Sequence, residues 1–93
     1  MSEKEAFVYI LLCADKSLYT GYTTDLKRRI KMHNNKLGAK YTRNRLPVEY
    51  VFTYKCPDKK TAMKLEAGIK KLSKKKKEAL IKGLIAPSSI LDN

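Results

Sequence analysis

The chain has 93 residues, of which 21 are Lys or Arg and nine are Asp or Glu, so its formal net charge is +12 at pH 7. This length allows one small domain over residues 1–93, with a core expected over about 6–83. A hydrophobic fraction of 43% with 32% charged residues excludes a disordered chain and predicts a folded domain with a highly charged surface. The positive charge favours an anionic partner, nucleic acid before a membrane surface.

Signals for export and membrane insertion are missing from the sequence. The longest apolar run, residues 6–14, has the length of a strand and falls short of the ~20 residues of a transmembrane helix. The N-terminus lacks the basic start and apolar middle of a signal peptide, so we expect a cytoplasmic protein without membrane contact. Cys13 and Cys56 lie far apart and have no neighbouring histidine, which predicts two buried, reduced thiols.

The first half of the chain predicts a hairpin followed by a helix. Residues 7–13 are apolar without alternation, as expected of a central strand that is covered on both faces. A turn at 14–17 joins them to a second strand, 18–23. Asp25 is a suitable N-cap for a helix that ends at about Asn35.

The second half predicts one more strand and two helices. Residues 36–47 form a loop, because Gly38 and Pro47 punctuate them, and a third strand follows at 48–56. Pro57 and Asp58 open a helix to about Leu72, and Ser73 caps a last one that ends near Gly83. We expect residues 86–93 to be a loosely held tail. The predicted fold class is α/β (α+β).

The basic residues are concentrated in two blocks. Residues 24–45 contain eight basic residues against one acidic residue, and residues 59–82 contain ten against two. A single run of lysines is more often a solvated helix face than a binding site. Two such blocks in one small domain favour contact with phosphate groups.

Three polar residues fall on helix faces that should pack against the sheet. At roughly 100° per residue, Arg29 and His33 share the stripe of Leu26 and Ile30, and Glu66 borders the apolar stripe of the next helix. A buried charge is costly unless it is paired. One explanation is a salt bridge between Arg29 and Glu66, with His33 as a satisfied core residue. The other is catalytic, because a carboxylate for a divalent cation, an Arg for phosphate and an aromatic base form a minimal set for phosphodiester hydrolysis.

Two tyrosines on the first two strands fit the catalytic explanation. Tyr9 and Tyr19 are both odd-numbered, so they share a face of the sheet only if the hairpin loop holds an odd number of residues or contains a bulge. We predict that arrangement. A loop of four residues at 14–17 without a bulge would place the two side chains on opposite faces.

The combination of these residues resembles the GIY-YIG nuclease superfamily. Arg29 lies ten residues after Tyr19, His33 four residues further on, and Glu66 forty-seven residues after Tyr19. The resemblance covers about residues 6–80, and is closest to small stand-alone members and to the nuclease domain of structure-specific endonucleases. It implies a three-stranded antiparallel sheet flanked by helices in the order β-β-α-β-α-α. The residues that carry it are Phe7-Val8-Tyr9, Tyr19-Thr20-Gly21, Arg29, His33, Glu66 and the segment from His33 to Arg43.

The resemblance implies a role for each residue of the site. Tyr9 or Tyr19, acting directly or through His33, takes the proton from the attacking water. An unperturbed tyrosine pKa near ~10 makes a poor base at pH 7, so nearby positive charge has to lower it. Arg29 stabilises negative charge on the scissile phosphate. Glu66 is the sole protein ligand of one Mg²⁺ or Mn²⁺ ion.

The implied partner is DNA, with RNA as the alternative, and a partner protein that supplies specificity is expected because no further DNA-binding domain is attached. Tyr41 is either a stacking platform for a base or an ordinary surface tyrosine. The residues expected to follow the nucleic-acid backbone are Lys27, Lys36, Lys40, Tyr41, Arg43 and Arg45.

The sequence therefore predicts a metal-dependent endonuclease that hydrolyses DNA and prefers a structure to a sequence. One alternative is a nucleic-acid-binding protein of the same fold that lacks catalysis or depends on a partner subunit. The other is a basic α/β module that binds RNA or a ribosomal surface.

Overall fold

The computed structural model describes residues 5–91. Residues 1–4, which bear on the expected absence of a signal peptide, and residues 92–93 of the predicted tail lie outside the described residues. No helix within 5–91 is long and apolar enough to cross a membrane. The strands and α-helices are β1 (Ala6–Leu12), β2 (Leu18–Thr23), α1 (Leu26–Asn34), β3 (Glu49–Cys56), α2 (Lys59–Lys70), α3 (Lys74–Ile81) and α4 (Pro87–Leu91). The stretch predicted as a loop before β3 contains one 3₁₀ turn, Lys40–Thr42.

The three strands form one antiparallel sheet in the order β2-β1-β3, which confirms the predicted fold class and the β-β-α-β-α-α order. The central strand β1 is buried on both faces, and this explains its unbroken apolar sequence. Helices α2 and α3 cover the face that carries Val8 and Ile10, whereas α1 covers the face that carries Tyr9. Cys13 and Cys56 are buried as free thiols in separate cores, as predicted.

The hairpin between β1 and β2 places both tyrosines on the face covered by α1. Leu12 pairs with Leu18, so the loop holds the five residues 13–17. Leu11 pairs with Tyr19, and residues directly opposite each other in an antiparallel pair lie on the same face. Tyr9, two residues before Leu11, therefore shares that face with Tyr19. The prediction of an odd loop is confirmed.

Side-chain caps fix where the three longer helices begin. Asp25, Asp58 and Ser73 each accept a hydrogen bond from the backbone N–H three residues further on, at 3.0, 2.7 and 3.2 Å. Each such cap contributes about 1 kcal/mol. Because α1 begins at Leu26, the helical repeat turns Arg29 and His33 towards the sheet, with His33 buried and Arg29 half-buried.

The end of the chain differs from the predicted loose tail. Residues 87–91 form α4, which packs on α2, and Ile90 and Leu91 lie against the core. Gly68 makes this contact possible, because a Cβ there would lie 2.5 Å from Cγ2 of Ile90. This helix was not predicted, because a segment of five residues is too short to show a helical periodicity of apolar residues.

Candidate functional site

A cleft of about 410 Å³ opens beside the edge strand β2. Four of the predicted site residues line it, Tyr9 from β1, Tyr19 from β2, Arg29 from α1 and Glu66 from α2. The fifth, His33, is fully buried behind Tyr9 and is absent from the cleft lining. Residues that are up to fifty-seven positions apart in sequence therefore meet at one concave surface.

The hydroxyl of Tyr9 lies at the centre of the site. It accepts a hydrogen bond from Nε of Arg29 at 3.2 Å and lies 2.9 Å from Nε2 of His33. Burial raises the pKa of Tyr9, and the hydrogen bond and charge of Arg29 offset only part of that effect. Arg29 thus lowers this pKa, as expected, but burial outweighs it and the net shift is upward. A base at Tyr9 needs a second group to receive its proton.

Within residues 5–91, His33 is the titratable group other than Arg29 that contacts this hydroxyl. Its ring is fully buried, with Nε2 on the Tyr9 hydroxyl and Nδ1 2.9 Å from Oγ1 of Thr42. Burial, followed by the nearby charge of Arg29, lowers the pKa of His33 to about 4. The imidazole is therefore neutral at pH 7, with one nitrogen protonated and the other an acceptor.

The salt bridge between Arg29 and Glu66 that the sequence allowed is absent from the described residues. Glu66 is instead 3.5 Å from Nζ of Lys70, one helical turn further along α2, and its side chain is 18% exposed. Arg29 uses Nε for Tyr9, and within residues 5–91 its NH₂ groups donate no hydrogen bond to a protein acceptor. The hydrogen bond to Tyr9 raises the pKa of Arg29, so the guanidinium stays charged. Both charges face the cleft without neutralising each other.

The donor set for a metal is a single carboxylate. Within residues 5–91 no three His, Cys, Asp or Glu side chains are arranged to hold an ion. Mg²⁺ commonly keeps several waters and takes one or two carboxylates together with substrate phosphates. Glu66, half-buried at the wall of an open cleft, fits that mode of binding and does not form an all-protein cage.

The structure adds residues that the sequence analysis did not single out. Lys59 lines the cleft with Glu66. The two lie seven residues apart, about two helical turns, on the same face of α2, a spacing that was readable from the sequence. The lining is completed by residues from the second half of β2 and the position after it, Gly21, Tyr22, Thr23 and Thr24.

A smaller groove of about 250 Å³ runs along the start of α1. It shares Thr23, Thr24 and Arg29 with the cleft and is also lined by Asp25, Arg28 and Met32. Arg29 thus lines two adjoining depressions.

Of the residues expected to follow a nucleic-acid backbone, Arg45 is engaged within the protein. It donates to Oδ2 of Asp15 at 3.0 Å and to the carbonyl of Tyr41 at 2.6 Å, and its guanidinium carbon lies 4.0 Å from the centre of the Tyr41 ring. Tyr41 in turn stacks on Tyr19, with 5.8 Å between ring centres and 25° between planes. Tyr41 is therefore no isolated surface tyrosine. The other four are exposed outside the cleft lining: Lys27, Lys36, Lys40 and Arg43.

Comparison with known proteins points to one family. Residues 5–79 match the family model of the GIY-YIG catalytic domain. A UPF0213 protein of Natronomonas pharaonis is 53% identical over 75 residues, which are 81% of this chain and 88% of that protein. A UPF0213 protein of Streptococcus pyogenes serotype M5 is 55% identical over 71 residues, covering 76% of this chain and 77% of the relative.

Two solved structures are also similar. The solution NMR structure of a UPF0213 protein from Bacillus halodurans superposes with a TM-score of 0.57 at 48% identity, covering 94% of this chain and 93% of that one. The solution NMR structure of a protein from E. faecalis has a TM-score of 0.61 at 44% identity, covering 90% and 91%.

Proposed function

Since the chain belongs to the family of GIY-YIG catalytic domains and to the UPF0213 proteins, we propose that it is a metal-dependent endonuclease acting on DNA. The observation that carries the proposal is the meeting of Tyr9, Arg29 and Glu66 at one cleft, with a neutral histidine hydrogen-bonded to the tyrosine. A protein that only binds nucleic acid has no use for a carboxylate that faces phosphate, because like charges repel.

Arg29 is the residue that holds the scissile phosphate. Its guanidinium is anchored to Tyr9 through Nε and lies where the cleft and the smaller groove meet. The NH₂ groups can then donate to two phosphate oxygens in the planar geometry that arginine favours. Donors fixed before the reaction stabilise the negative charge that grows as water attacks phosphorus.

Tyr9 is the residue that accepts the proton from water, and His33 receives the proton that Tyr9 gives up. Tyr9 lines the cleft, and its oxygen lies 2.9 Å from Nε2 of His33. If the tyrosine proton moves to the imidazole as the tyrosine oxygen takes a proton from water, the products are imidazolium and the attacking hydroxide, and no free phenolate accumulates. Tyr19 lines the same cleft, but within residues 5–91 its hydroxyl makes no hydrogen bond, which favours Tyr9 as the base.

Glu66 is the residue that would hold one Mg²⁺ or Mn²⁺ ion, with waters and phosphate oxygens as the other ligands. When bound, such an ion polarises the phosphate and stabilises the departing oxygen. Lys59, on the same wall of the cleft, is placed to contact an adjacent phosphate of the strand.

The substrate class follows from the charge distribution. The exposed basic residues Lys27, Lys36, Lys40 and Arg43 suit the phosphate backbone and offer no set of side chains for reading bases. Selection by structure, as in the structure-specific endonucleases that the sequence resembles, agrees with this surface. Sequence preference would then have to come from a partner protein.

The second candidate function is nucleic-acid binding without catalysis, or with catalysis only in a complex. One observation favours it: Lys70 lies 3.5 Å from the Glu66 carboxylate and competes with a metal ion for the same oxygen. The side chain of Lys70 is 51% exposed, so this competition is weak in water.

The test is a cleavage assay on supercoiled, branched and single-stranded DNA with Mg²⁺ or Mn²⁺. Wild type is run beside Glu66→Gln and beside Glu78→Gln, a matched loss of an acidic side chain on α3, away from the cleft. We expect metal-dependent nicking by wild type and Glu78→Gln, and a rate lower by roughly 100-fold or more in Glu66→Gln. Equal nicking by all three proteins would contradict the proposal that this protein is the nuclease. Binding of DNA without nicking would support nucleic-acid binding without catalysis.

A further inference from the structure

The segment that follows α1 folds back onto His33 on the side away from the cleft. Asn34 fastens its far end, since the side-chain amide accepts from the backbone N–H of Val48 at 2.9 Å and donates to the carbonyl of Val48 at 3.3 Å. Gly38 passes directly over the imidazole, and a Cβ at this position would overlap Nδ1 of His33. The segment Gly38–Thr42 therefore forms the back wall of the histidine pocket.

Thr42 is the polar group of that wall. It is fully buried, and its Oγ1 lies 2.9 Å from Nδ1 of His33 and 2.9 Å from the carbonyl oxygen of Ala39. A carbonyl oxygen can only accept, and a hydroxyl has only one proton. If that proton goes to Ala39, the hydroxyl oxygen has to accept from the imidazole, and Nδ1 has to carry the proton.

The contact at Nε2, the other ring nitrogen, also places the proton on Nδ1. Tyr9 is fully buried, its oxygen already accepts from Arg29, and among residues 5–91 the one acceptor within reach of its proton is Nε2 of His33. A proton on Nε2 would leave the Tyr9 hydroxyl proton without a protein acceptor, which is costly for a buried group. With the proton on Nδ1, four hydrogen bonds form a chain in which each donor has one acceptor. Nε of Arg29 donates to Tyr9, the Tyr9 hydroxyl to Nε2 of His33, Nδ1 of His33 to Thr42, and the Thr42 hydroxyl to the carbonyl of Ala39.

We propose that Thr42 is a positioning residue, which holds His33 as the Nδ1–H tautomer so that Nε2 stays open to the proton of Tyr9. This assigns a task to the stretch from Gly38 to Thr42, none of whose residues lines the cleft. The consequence for cleavage rests on the proposed nuclease function, whereas the tautomer is a property of the folded protein alone.

The test uses the fact that His33 is the one histidine in the sequence. In protein labelled with ¹⁵N-histidine, long-range ¹H–¹⁵N correlation spectra at pH 7 identify the protonated ring nitrogen without any overlap. We expect wild type and Thr42→Ser, which keeps the hydroxyl, to give the Nδ1–H pattern. We expect Thr42→Val, which keeps the shape, to lose it and to give the Nε2–H form or a mixture.

The same variants are then assayed for cleavage. Thr42→Val should lower the rate of the chemical step by on the order of 100-fold, the lower end of what a positioned acid or base contributes, and Thr42→Ser should restore it. A wild-type spectrum of the Nε2–H form, or an unchanged tautomer in Thr42→Val, would overturn the proposal. If Thr42→Val fails to fold, the wild-type spectrum still tests the proposal, because the Nε2–H form would overturn it and the Nδ1–H form would support it. If the tautomers are as expected but none of the proteins cleaves DNA, the proposed nuclease function is contradicted, whereas the role of Thr42 in positioning His33 is supported.

Discussion

Tyr9 and Gly21 lie directly opposite each other on β1 and β2, and the hydroxyl end of the tyrosine ring fills the space that a side chain at Gly21 would need. A Cβ on Gly21 would lie 2.5 Å from the Tyr9 oxygen and 2.7 Å from the carbon that bears it. The absent side chain therefore allows Tyr9 to lie across the edge strand and reach Arg29 and His33.

Gly21→Ala should consequently displace Tyr9. The ring is packed against His33 and Tyr50, so the added methyl group has to be accommodated by strain, at a cost of about 1–3 kcal/mol in the free energy of unfolding. Urea unfolding measures that loss, and the rate of cleavage should fall with it. Wild-type stability together with wild-type cleavage in Gly21→Ala would show that Tyr9 does not need this position.

The buried histidine makes stability depend on pH in a predictable direction. The pKa of His33 is about 4 in the folded protein, against an ordinary value of 6.5 in the unfolded chain. Between these pH values the unfolded chain binds more protons, so the free energy of unfolding falls as the pH is lowered from 6.5 to 4. The difference between the two pKa values corresponds to on the order of 3 kcal/mol.

Urea unfolding of wild type and His33→Asn at pH 7 and pH 4.5 isolates this effect, because the carboxylates contribute equally to both proteins. We expect the loss of stability between the two pH values to be larger in wild type. Parallel pH dependence in the two proteins would mean that His33 titrates normally in the fold.

Arg45 and Lys40 should differ in their contribution to nucleic-acid binding. If the protein neutralises about six phosphates, the logarithm of the binding constant falls with the logarithm of salt concentration with a slope near −5 on duplex DNA. Lys40→Gln should make that slope shallower by about 1. Arg45→Gln should leave it nearly unchanged, since Asp15 already pairs with the guanidinium. Equal changes in both variants would show that Arg45 leaves its protein contacts to bind phosphate.

Much of the fold was predictable because its elements have strong local signals. The unbroken apolar run of β1 predicted a central strand, and the caps Asp25, Asp58 and Ser73 fixed three helix starts. The helix α4 was not predictable, because it is held by contact between Ile90 and a glycine twenty-two residues earlier. Such a contact leaves no periodic pattern in the sequence.

The site was predictable in part for a similar reason. Helical periodicity turned Arg29 and His33 towards the sheet, and the structure brings both to Tyr9. Tyr9 and Tyr19 share a face because the hairpin loop has five residues, a length that strand periodicity left open. Thr42 ends a single 3₁₀ turn, Lys40–Thr42, which is too short for a repeat to relate position to direction, so its contact with His33 is evident only in the structure. The net rise in the pKa of Tyr9 likewise depends on burial that a sequence does not quantify.

The central claim is that the Tyr9 hydroxyl takes part in phosphodiester hydrolysis, and Tyr9→Phe tests it most directly, because the change removes one oxygen and keeps the ring. Tyr54→Phe, the same change on the opposite face of the sheet, is the matched control. In single-turnover cleavage with Mn²⁺ at saturating protein, we expect Tyr9→Phe to be slower by on the order of 100-fold or more, with the Kd for DNA unchanged and Tyr54→Phe at the wild-type rate. A folded Tyr9→Phe protein that cleaves as fast as wild type would contradict the account.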